Sequence, residues 1–226
     1  MTRNLRALGL ALVAVFVMGV WVAQGVSAHV AARFTAPEVS TITGEETVTN
    51  IINSVTGVGT SCKSVLYHGV TPASESAESL TINAIYKECV AEAGIFGTIE
   101  VEEVTGFGPV ECHYRLNADE SVDLACGAGK EVTIKAATCT MHIPAQNDLG
   151  TISFTTATRE IGGIKKHDLL VHWNLSGITS NHTDGFGCPL SSGGESATAT
   201  FVGTTTVWAE GHGFEPLDLT WDATVA

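Results

Sequence analysis

Residues 111–134, ECHYRLNADESVDLACGAGKEVTI, alternate apolar and polar side chains and place a cysteine near each end of their first half. Successive side chains of a strand point to opposite faces of a sheet, so this alternation predicts strands with one apolar face. A polar turn at 117–121 separates the first strand from the second. One antiparallel register then opposes three pairs at once: Leu116 with Val122, Tyr114 with Leu124, and Cys112 with Cys126.

This register predicts a disulfide between Cys112 and Cys126. A slip of one residue would turn the apolar set of one strand toward water, so the register is strongly specified if that face is buried. Directly opposed residues have Cα atoms about 4.5–5.5 Å apart, within the range of about 4.4–6.8 Å that disulfides span. The hairpin and the bond therefore support each other.

A third strand is predicted after the glycine-containing loop at 127–129, which suits a tight hairpin and would complete a meander. From residue 137 the phase of the apolar positions changes, so we expect a bulge or a crossover near Thr138. The second hairpin would oppose Leu124 to Val132 and Val122 to Ile134.

The rest of the chain follows the same pattern. Short alternating runs are separated by Gly, Asn, Asp, Ser and Thr, and no stretch keeps a helical period for long. The sequence therefore predicts an all-β fold, an antiparallel sandwich or barrel with disulfides. Strands are predicted at 38–43, 47–56, 62–68, 79–86, 98–104, 109–116, 121–126, 130–136, 139–143, 150–156, 168–176, 196–202, 204–210 and 216–221.

The N-terminus has the profile of an export signal, with Arg3 and Arg6 followed by mostly apolar residues at 7–26. Small residues suit cleavage after Ala28, so we predict a helical signal peptide at 1–28 and a single secreted β domain at 29–226. Cleavage after Ala32 is an alternative. An uncleaved membrane anchor is another, because the apolar run is long enough to span a bilayer.

Charge restricts the class of partner. Cleavage at the signal would leave nine basic and twenty-four acidic residues, a formal charge of −15. This excess repels nucleic acid and anionic membrane surfaces. We therefore expect a secreted or cell-surface protein with no nucleic-acid partner, and with no membrane partner after cleavage.

The cysteines indicate an oxidising compartment. An even number after the signal predicts disulfides, although the count alone leaves the pairing open. No CxxC motif and no zinc-finger spacing of Cys and His occurs, so neither a metal nor a cofactor is predicted. A register that opposes Cys62 to Cys89 also opposes Leu66 to Ile85, but it places polar residues such as His68 on that face. The six cysteines are Cys62, Cys89, Cys112, Cys126, Cys139 and Cys188.

A series of short motifs follows the export signal and a Thr-rich start. The motifs are Tyr86 with Cys89, CHY at 112–114, Cys126 before a glycine-containing turn, CTMHIPAQ at 139–146, LSGI at 175–178 and a final Cys188. This layout resembles a family of secreted actinobacterial six-cysteine β-rich proteins with no assigned function. The resemblance covers roughly residues 34–210 and implies an extracytoplasmic β domain with sequential use of its cysteines, which adds a Cys139–Cys188 bond. It implies no catalytic residue.

Catalytic and metal-binding patterns are weak. An α/β-hydrolase nucleophile usually occupies GxSxG, and the nearest string, at 194–198, lacks the final glycine. The densest histidine group is His167, Asp168, His172 and His182. On an ideal strand His172 faces outward and His167 lies on the opposite face, so the two do not form a clamp. We therefore predict no catalytic and no metal-binding residue.

Other polar and aromatic candidates have ordinary explanations. Glu100 and Glu102 alternate with inward apolar residues, as on a solvated strand face. Trp173 follows the inward face of its predicted strand and is expected in the core. Trp208 is expected to face outward, where an aromatic ring is able to stack on a ligand.

These observations favour a non-enzymatic secreted or cell-surface β protein with a structural or ligand-binding role. Its partner would be an extracellular ligand or a cell-wall component. The alternative is a secreted hydrolase whose site is assembled from dispersed Asp, Glu or His residues. A deep pocket with converging carboxylates or histidines would favour that alternative.

Overall fold

The computed structural model describes residues 32–53, 59–71, 76–92, 97–137, 139–183 and 196–223. These residues are all-β, as predicted, and their strand pairs are antiparallel. They belong to one unit, Ala31–Thr224. The part of the chain that the structure describes has no helix able to cross a membrane. The predicted signal peptide at 1–28, Cys188 and the first two residues of the string at 194–198 lie outside the described residues.

Sixteen strands lie within the described residues. Their buried and exposed positions alternate, as in β-strands that pack one face on a core. The strands are β1 (Arg33–Thr35), β2 (Thr41–Asn53), β3 (Gly59–Val70), β4 (Ser76–Ala77), β5 (Ser79–Glu92), β6 (Thr98–Glu100), β7 (Glu103–Thr105), β8 (Cys112–Asn117), β9 (Val122–Cys126), β10 (Glu131–Ala136), β11 (Cys139–Pro144), β12 (Gly150–Ile161), β13 (Ile164–Thr183), β14 (Ser196–Glu210), β15 (Pro216–Leu217) and β16 (Thr220–Asp222).

The main sheet runs in the order β7-β10-β11-β13-β14-β2-β3-β5-β8-β9, and β12 pairs with β13, β15 with β14, and β6 with β5. This sheet curls into a half-barrel. Its edge strand β9 is joined by backbone hydrogen bonds to residues 146–149, in the connection between β11 and β12. The backbone N–H of Ile152 in β12 donates to the carbonyl of Glu120 at 2.9 Å. The curl therefore brings β9 against the start of β12.

Inward side chains fill the curl with a largely aromatic and aliphatic core. The Trp173 ring is stacked on Tyr67, with centroids 5.9 Å apart, and also contacts Tyr114 and Phe201. Full burial of each large apolar side chain contributes about 1.5–3 kcal/mol. The residues predicted to face inward from β13, namely Leu169, Val171, Trp173 and Leu175, are all buried.

A second sheet, of order β16-β1-β4, packs on this core. Phe34 in β1 is buried and meets the ring of Phe154 at 5.0 Å, and Phe154 contacts Trp221 at 5.3 Å. The indole N–H of Trp221 donates to the carbonyl of Ala118 at 2.8 Å. Neither β1 nor β4 was predicted, because strands of two or three residues carry too little alternation to be detected.

The predicted hairpin register is confirmed, since Cys112 lies opposite Cys126, Tyr114 opposite Leu124, and Leu116 opposite Val122. The N–H of Gly127 donates to the carbonyl of Glu111 at 2.9 Å, so the neighbouring Cys112–Cys126 pair is a non-hydrogen-bonded pair. Side chains are closest in such pairs. The structure contains the Cys112–Cys126 disulfide.

The predicted third strand, 130–136, is present as β10, but its predicted pairing with β9 is wrong. Leu124 and Val122 do not lie opposite Val132 and Ile134, because β10 pairs with β7 and β11 instead. The backbone of Leu124 exchanges hydrogen bonds with Gln146 in both directions, and Val122 accepts one from Leu149. The edge of β9 is thus occupied by a later segment. Alternation specifies which face a strand buries, but not which strand is its neighbour.

Thr138 itself lies outside the described residues, but the strands on either side of it, β10 and β11, are paired as a hairpin and not as a bulged strand or a crossover. Ala136 lies opposite Cys139, so two residues connect β10 to β11, and Ala137 has a φ of 50°. A two-residue connection opposes an even-numbered residue to an odd-numbered one. The buried set therefore passes from even positions in β10 to odd positions in β11, as in the pair of Ile134 with Met141.

Several predicted boundaries also change. The predicted strands 38–43 and 47–56 are joined in β2, and 196–202 and 204–210 are joined in β14, where irregular pairing occurs along both strands. The predicted strand 98–104 is divided into β6 and β7 at residues 101–102. Bulges explain the joined strands, because they break the alternation without ending the strand. The division of 98–104 has another cause, since β6 pairs with β5 and β7 pairs with β10.

Cys62 and Cys89 lie opposite one another and form a disulfide, and the predicted Leu66–Ile85 pair is present in the same register. That pair does not share the cysteines' inward face, since Ile85 is 44% exposed. Both strands change phase beside the disulfide, and Glu88 has a φ of 50° at this point. For the Cys139–Cys188 bond, Cys188 lies outside the described residues.

Candidate functional site

An open groove of about 700 Å³ lies where the start of β3 meets the end of β5 and the short strand β6. Its volume falls within the range of about 300–1,000 Å³ that small-molecule sites occupy. Most of its side chains are polar. The lining residues are Ser61, Cys62, Lys63, Glu88, Cys89, Val90, Thr98 and Glu100.

The local sequence explains how this groove is held open. The Cys62–Cys89 disulfide fixes β3 to β5 at its base, and both cysteines are buried. On the far side β6 pairs with β5, with Val90 opposite Glu100, and the carbonyl of Cys89 accepts a hydrogen bond from Val101 at 2.9 Å. Three strands therefore hold the wall residues in fixed positions.

Glu88 adopts a left-handed backbone conformation within this wall. Its φ is 50°, which costs a residue other than glycine about 1–2 kcal/mol. Such strained residues persist where the surrounding structure determines them, and they cluster at binding and catalytic sites. Here the neighbouring disulfide supplies the constraint, because Glu88 immediately precedes Cys89.

The charged groups of the groove include an ion pair. The Lys63 Nζ atom lies 2.8 Å from the Glu88 Oε2 atom, and both side chains are largely exposed. The hydrogen bond from Lys63, and then its charge, lowers the pKa of the Glu88 carboxyl, and the same contact raises the pKa of Lys63. A general acid for glycoside hydrolysis needs a raised pKa. The lowered pKa keeps Glu88 ionised, so this carboxyl is not suited to protonate a leaving group.

A smaller cavity of about 40 Å³ lies inside the curled sheet and is almost wholly apolar. A cavity that holds benzene in another protein has a volume of about 150 Å³. The interior is therefore a packed core rather than a site for a sizeable ligand. Residues from both ends of the main sheet line it, among them Tyr86, Phe107, Tyr114, Leu175 and Phe201.

Buried hydroxyls beside this cavity form a polar network. The hydroxyls of Tyr86 and Tyr114 are 2.9 Å apart, and the indole N–H of Trp173 donates to the Thr205 Oγ1 atom at 2.8 Å. Burial raises the pKa of Tyr114 to about 12 and raises the pKa of Tyr67 further. These tyrosines stay protonated at neutral pH and satisfy one another within the core.

The predicted histidine group is not brought together. His172 is exposed and lies within 3.2 Å of the Thr155 Oγ1 atom and 3.3 Å of the Thr204 Oγ1 atom. The Nε2 atom of His182 is 3.1 Å from the Ser180 hydroxyl, whereas His167 is exposed. Among the described residues no group of three or more His, Cys, Asp or Glu side chains could hold a metal ion.

Arg159 makes separate contacts with Asp168 and with Trp208. Arg159 donates from Nε to the Asp168 Oδ2 atom at 2.9 Å, and its guanidinium carbon lies 4.9 Å from the centre of the Trp208 ring. The Trp208 N–H donates to Glu210 at 3.0 Å. Trp208 faces outward as predicted, but Arg159 covers one side of its ring, so it is not an open platform for a ligand.

The acidic residues at 100–103 have different environments. Glu100 lines the groove, whereas Glu102 pairs with Lys135 at 2.8 Å and lies outside it. The register that pairs Cys62 with Cys89 also opposes Lys63 to Glu88, and this opposition was the sequence signal for the groove. The groove was not predicted, because the alternation was extended as a regular strand pair that lacks the change of phase at Glu88.

Comparison with known proteins gave no match among family models, curated proteins or solved structures.

Proposed function

We propose that this protein acts outside the cytoplasm as a non-enzymatic binding protein, and that the groove beside the Cys62–Cys89 disulfide takes a hydroxylated ligand such as a cell-wall glycan. The observation that carries the proposal is the groove itself, about 700 Å³ in volume and braced by a disulfide and by β6. Two disulfides fit an oxidising compartment. We also propose that residues 1–28 are a signal peptide and that the protein is related to the secreted actinobacterial proteins that it resembles.

The lining favours a neutral, hydroxyl-rich ligand. Ser61 and Thr98 offer hydroxyls, Lys63 offers hydrogen-bond donors, and Glu88 and Glu100 offer acceptors. Sugar hydroxyls both donate and accept, so they match this mixture. A polyanion would meet more carboxylates than ammonium groups and a strongly acidic chain.

The test is binding of the purified protein 29–226 to a panel of cell-wall glycan fragments, measured by calorimetry. The double variant Lys63→Ala/Glu88→Ala should weaken binding about tenfold or more, because charged groups that hydrogen-bond the ligand are lost. A matched control is Lys135→Ala/Glu102→Ala, which removes an ion pair of the same 2.8 Å length outside the groove. Equal effects of the two variants, or no binding to any glycan, would refute the proposal.

A secreted hydrolase is the second candidate, and one observation favours it: two carboxylates, Glu88 and Glu100, line the same groove. Glycosidases use such a pair across the scissile bond. Turnover of a bound glycan that is abolished by Glu100→Gln, with binding retained, would favour the hydrolase over the binding protein.

A further inference from the structure

One edge of β12 is open along most of its length. β12 pairs with β13 from Gly150 to Ile161, and the two strands are joined by the two-residue turn Gly162–Gly163, with φ values of 58° and 81°. In such a type I′ hairpin the closing pair, here Ile161 with Ile164, is hydrogen-bonded. Alternate residues of β12 therefore direct their N–H and C=O groups away from β13.

The residues with outward backbone groups are the even-numbered ones. The bond from the Ile152 N–H to Glu120 confirms this assignment at the start of the strand. From Phe154 to Glu160 no backbone hydrogen bond joins this edge to any residue that the structure describes. The side chains of Thr156, Thr158 and Glu160 are exposed, so the edge is accessible.

This edge also has little of the usual protection, since its charged residues, Arg159 and Glu160, lie only at the end next to the turn. Natural edge strands are blunted by proline, lysine, bulges or shortness. The edge of β9 is covered by residues 146–149, and β7 has only three residues. By contrast the open part of β12 reads FTTATRE at 154–160, with no Pro, Gly or Lys. Its one basic residue, Arg159, is held against Asp168 and Trp208.

We infer that β12 pairs with β12 of a second copy of this chain, antiparallel, about a two-fold axis at Ala157. In this register the outward backbone groups of Thr156 meet those of Thr158, and those of Phe154 meet those of Glu160. Ala157 lies opposite itself at the closest point, and Thr155 lies opposite Arg159. No charge is opposed to a like charge. The pairing is self-complementary and stops at two copies.

A second copy of this chain fits the open edge of β12 better than an unrelated peptide does. An unrelated peptide would also find hydrogen-bond partners here, as in β-strand addition. A second copy satisfies every open group on both edges at once and opposes small side chains at the axis. The dimer joins two main sheets into one and carries two copies of the groove.

The test is the mass of the protein 29–226 in solution from micromolar to millimolar concentration, by sedimentation equilibrium. Thr158→Pro removes an N–H that no described residue accepts, so the monomer should keep its melting temperature. We expect the wild type and the control Thr158→Val to dimerise, and Thr158→Pro to raise the dissociation constant about tenfold or more, since hydrogen bonds across the axis are lost.

A second variant covers the case in which proline disturbs the strand. Ala157→Lys places like charges opposite each other at the axis and should weaken the dimer, with partial recovery at high salt. A wild type that stays monomeric to millimolar concentration would overturn the inference. A dimer whose dissociation constant is unchanged in both variants would overturn it too, because its interface would lie elsewhere.

Discussion

The two disulfide-linked strand pairs differ in what their disulfides do. Cys112 and Cys126 join a regular hairpin, β8–β9, whose register continues without interruption to Leu116 and Val122. Cys62 and Cys89 join β3 and β5 at the point where both strands change phase, beside the left-handed Glu88. The first bond therefore reinforces a structure that alternation already specifies. The second holds together an irregular junction, and the groove opens there.

The largest loss of stability is expected from the double variant Cys62→Ala/Cys89→Ala. The bond closes a loop with a sequence separation of 27, so the chain-entropy model gives a loss of about 3.6 kcal/mol in the free energy of unfolding. Ligand binding should be lost as well, because the base of the groove is released. Urea denaturation and calorimetry measure the two quantities. Unchanged binding in the folded variant would separate the groove from the disulfide.

Cys112→Ala/Cys126→Ala should cost slightly less. Its sequence separation of 14 corresponds to about 3 kcal/mol in the same model, and less if the hairpin persists in the unfolded chain. Binding in the groove should stay within twofold of the wild type, since no lining residue belongs to β8 or β9. A loss of binding as large as that of the first variant would contradict the division between the two regions.

An alkaline titration should destabilise the protein through a buried tyrosine of the hairpin, Tyr114 in β8. The pKa of Tyr114 is raised by burial from 10.0 to about 12, so the unfolded chain ionises first and stability falls as the pH rises above 10. Linkage gives a loss of about 2–3 kcal/mol between these values for this residue. The free energy of unfolding measured from pH 9 to pH 12 checks this. Tyr114→Phe should flatten the slope, and an unchanged slope would exclude this tyrosine as its source.

The smallest change in stability is expected from glycine substitutions at two glutamates with positive φ values. Glu88 and Glu120 have φ values of 50° and 69°, one in the groove and one in the turn of the β8–β9 hairpin. Glycine at either position should raise the free energy of unfolding by about 0.5–1 kcal/mol, because relief of strain exceeds the added entropy of the unfolded chain. Only Glu88→Gly should also weaken ligand binding. If Glu120→Gly weakened binding equally, Glu88 would have no special connection to the groove.

Strand content and the local registers were predictable, because alternation carries them within a few residues. The opposition of Cys112 to Cys126 and of Cys62 to Cys89 followed from counting along two strands. The second neighbour of β9 and the neighbours of β10 were not predictable. Residues 122–126 and 131–136 each bury one apolar face and would fit several partners, and Gln146 and Leu149, distant in sequence, occupied the edge.

The sequence alone determined the all-β class, the central hairpin and the inward face of β13, because each depends on side chains that alternate along one or two adjacent strands. Only the tertiary structure decided that β9 lies against the start of β12, that Glu88 and Glu100 share a groove, and that the edge of β12 stays open. These features depend on backbone hydrogen bonds between segments far apart in the chain. Every residue except proline offers the same donor and acceptor for such bonds, so the local pattern of alternation does not reveal which distant segments they join.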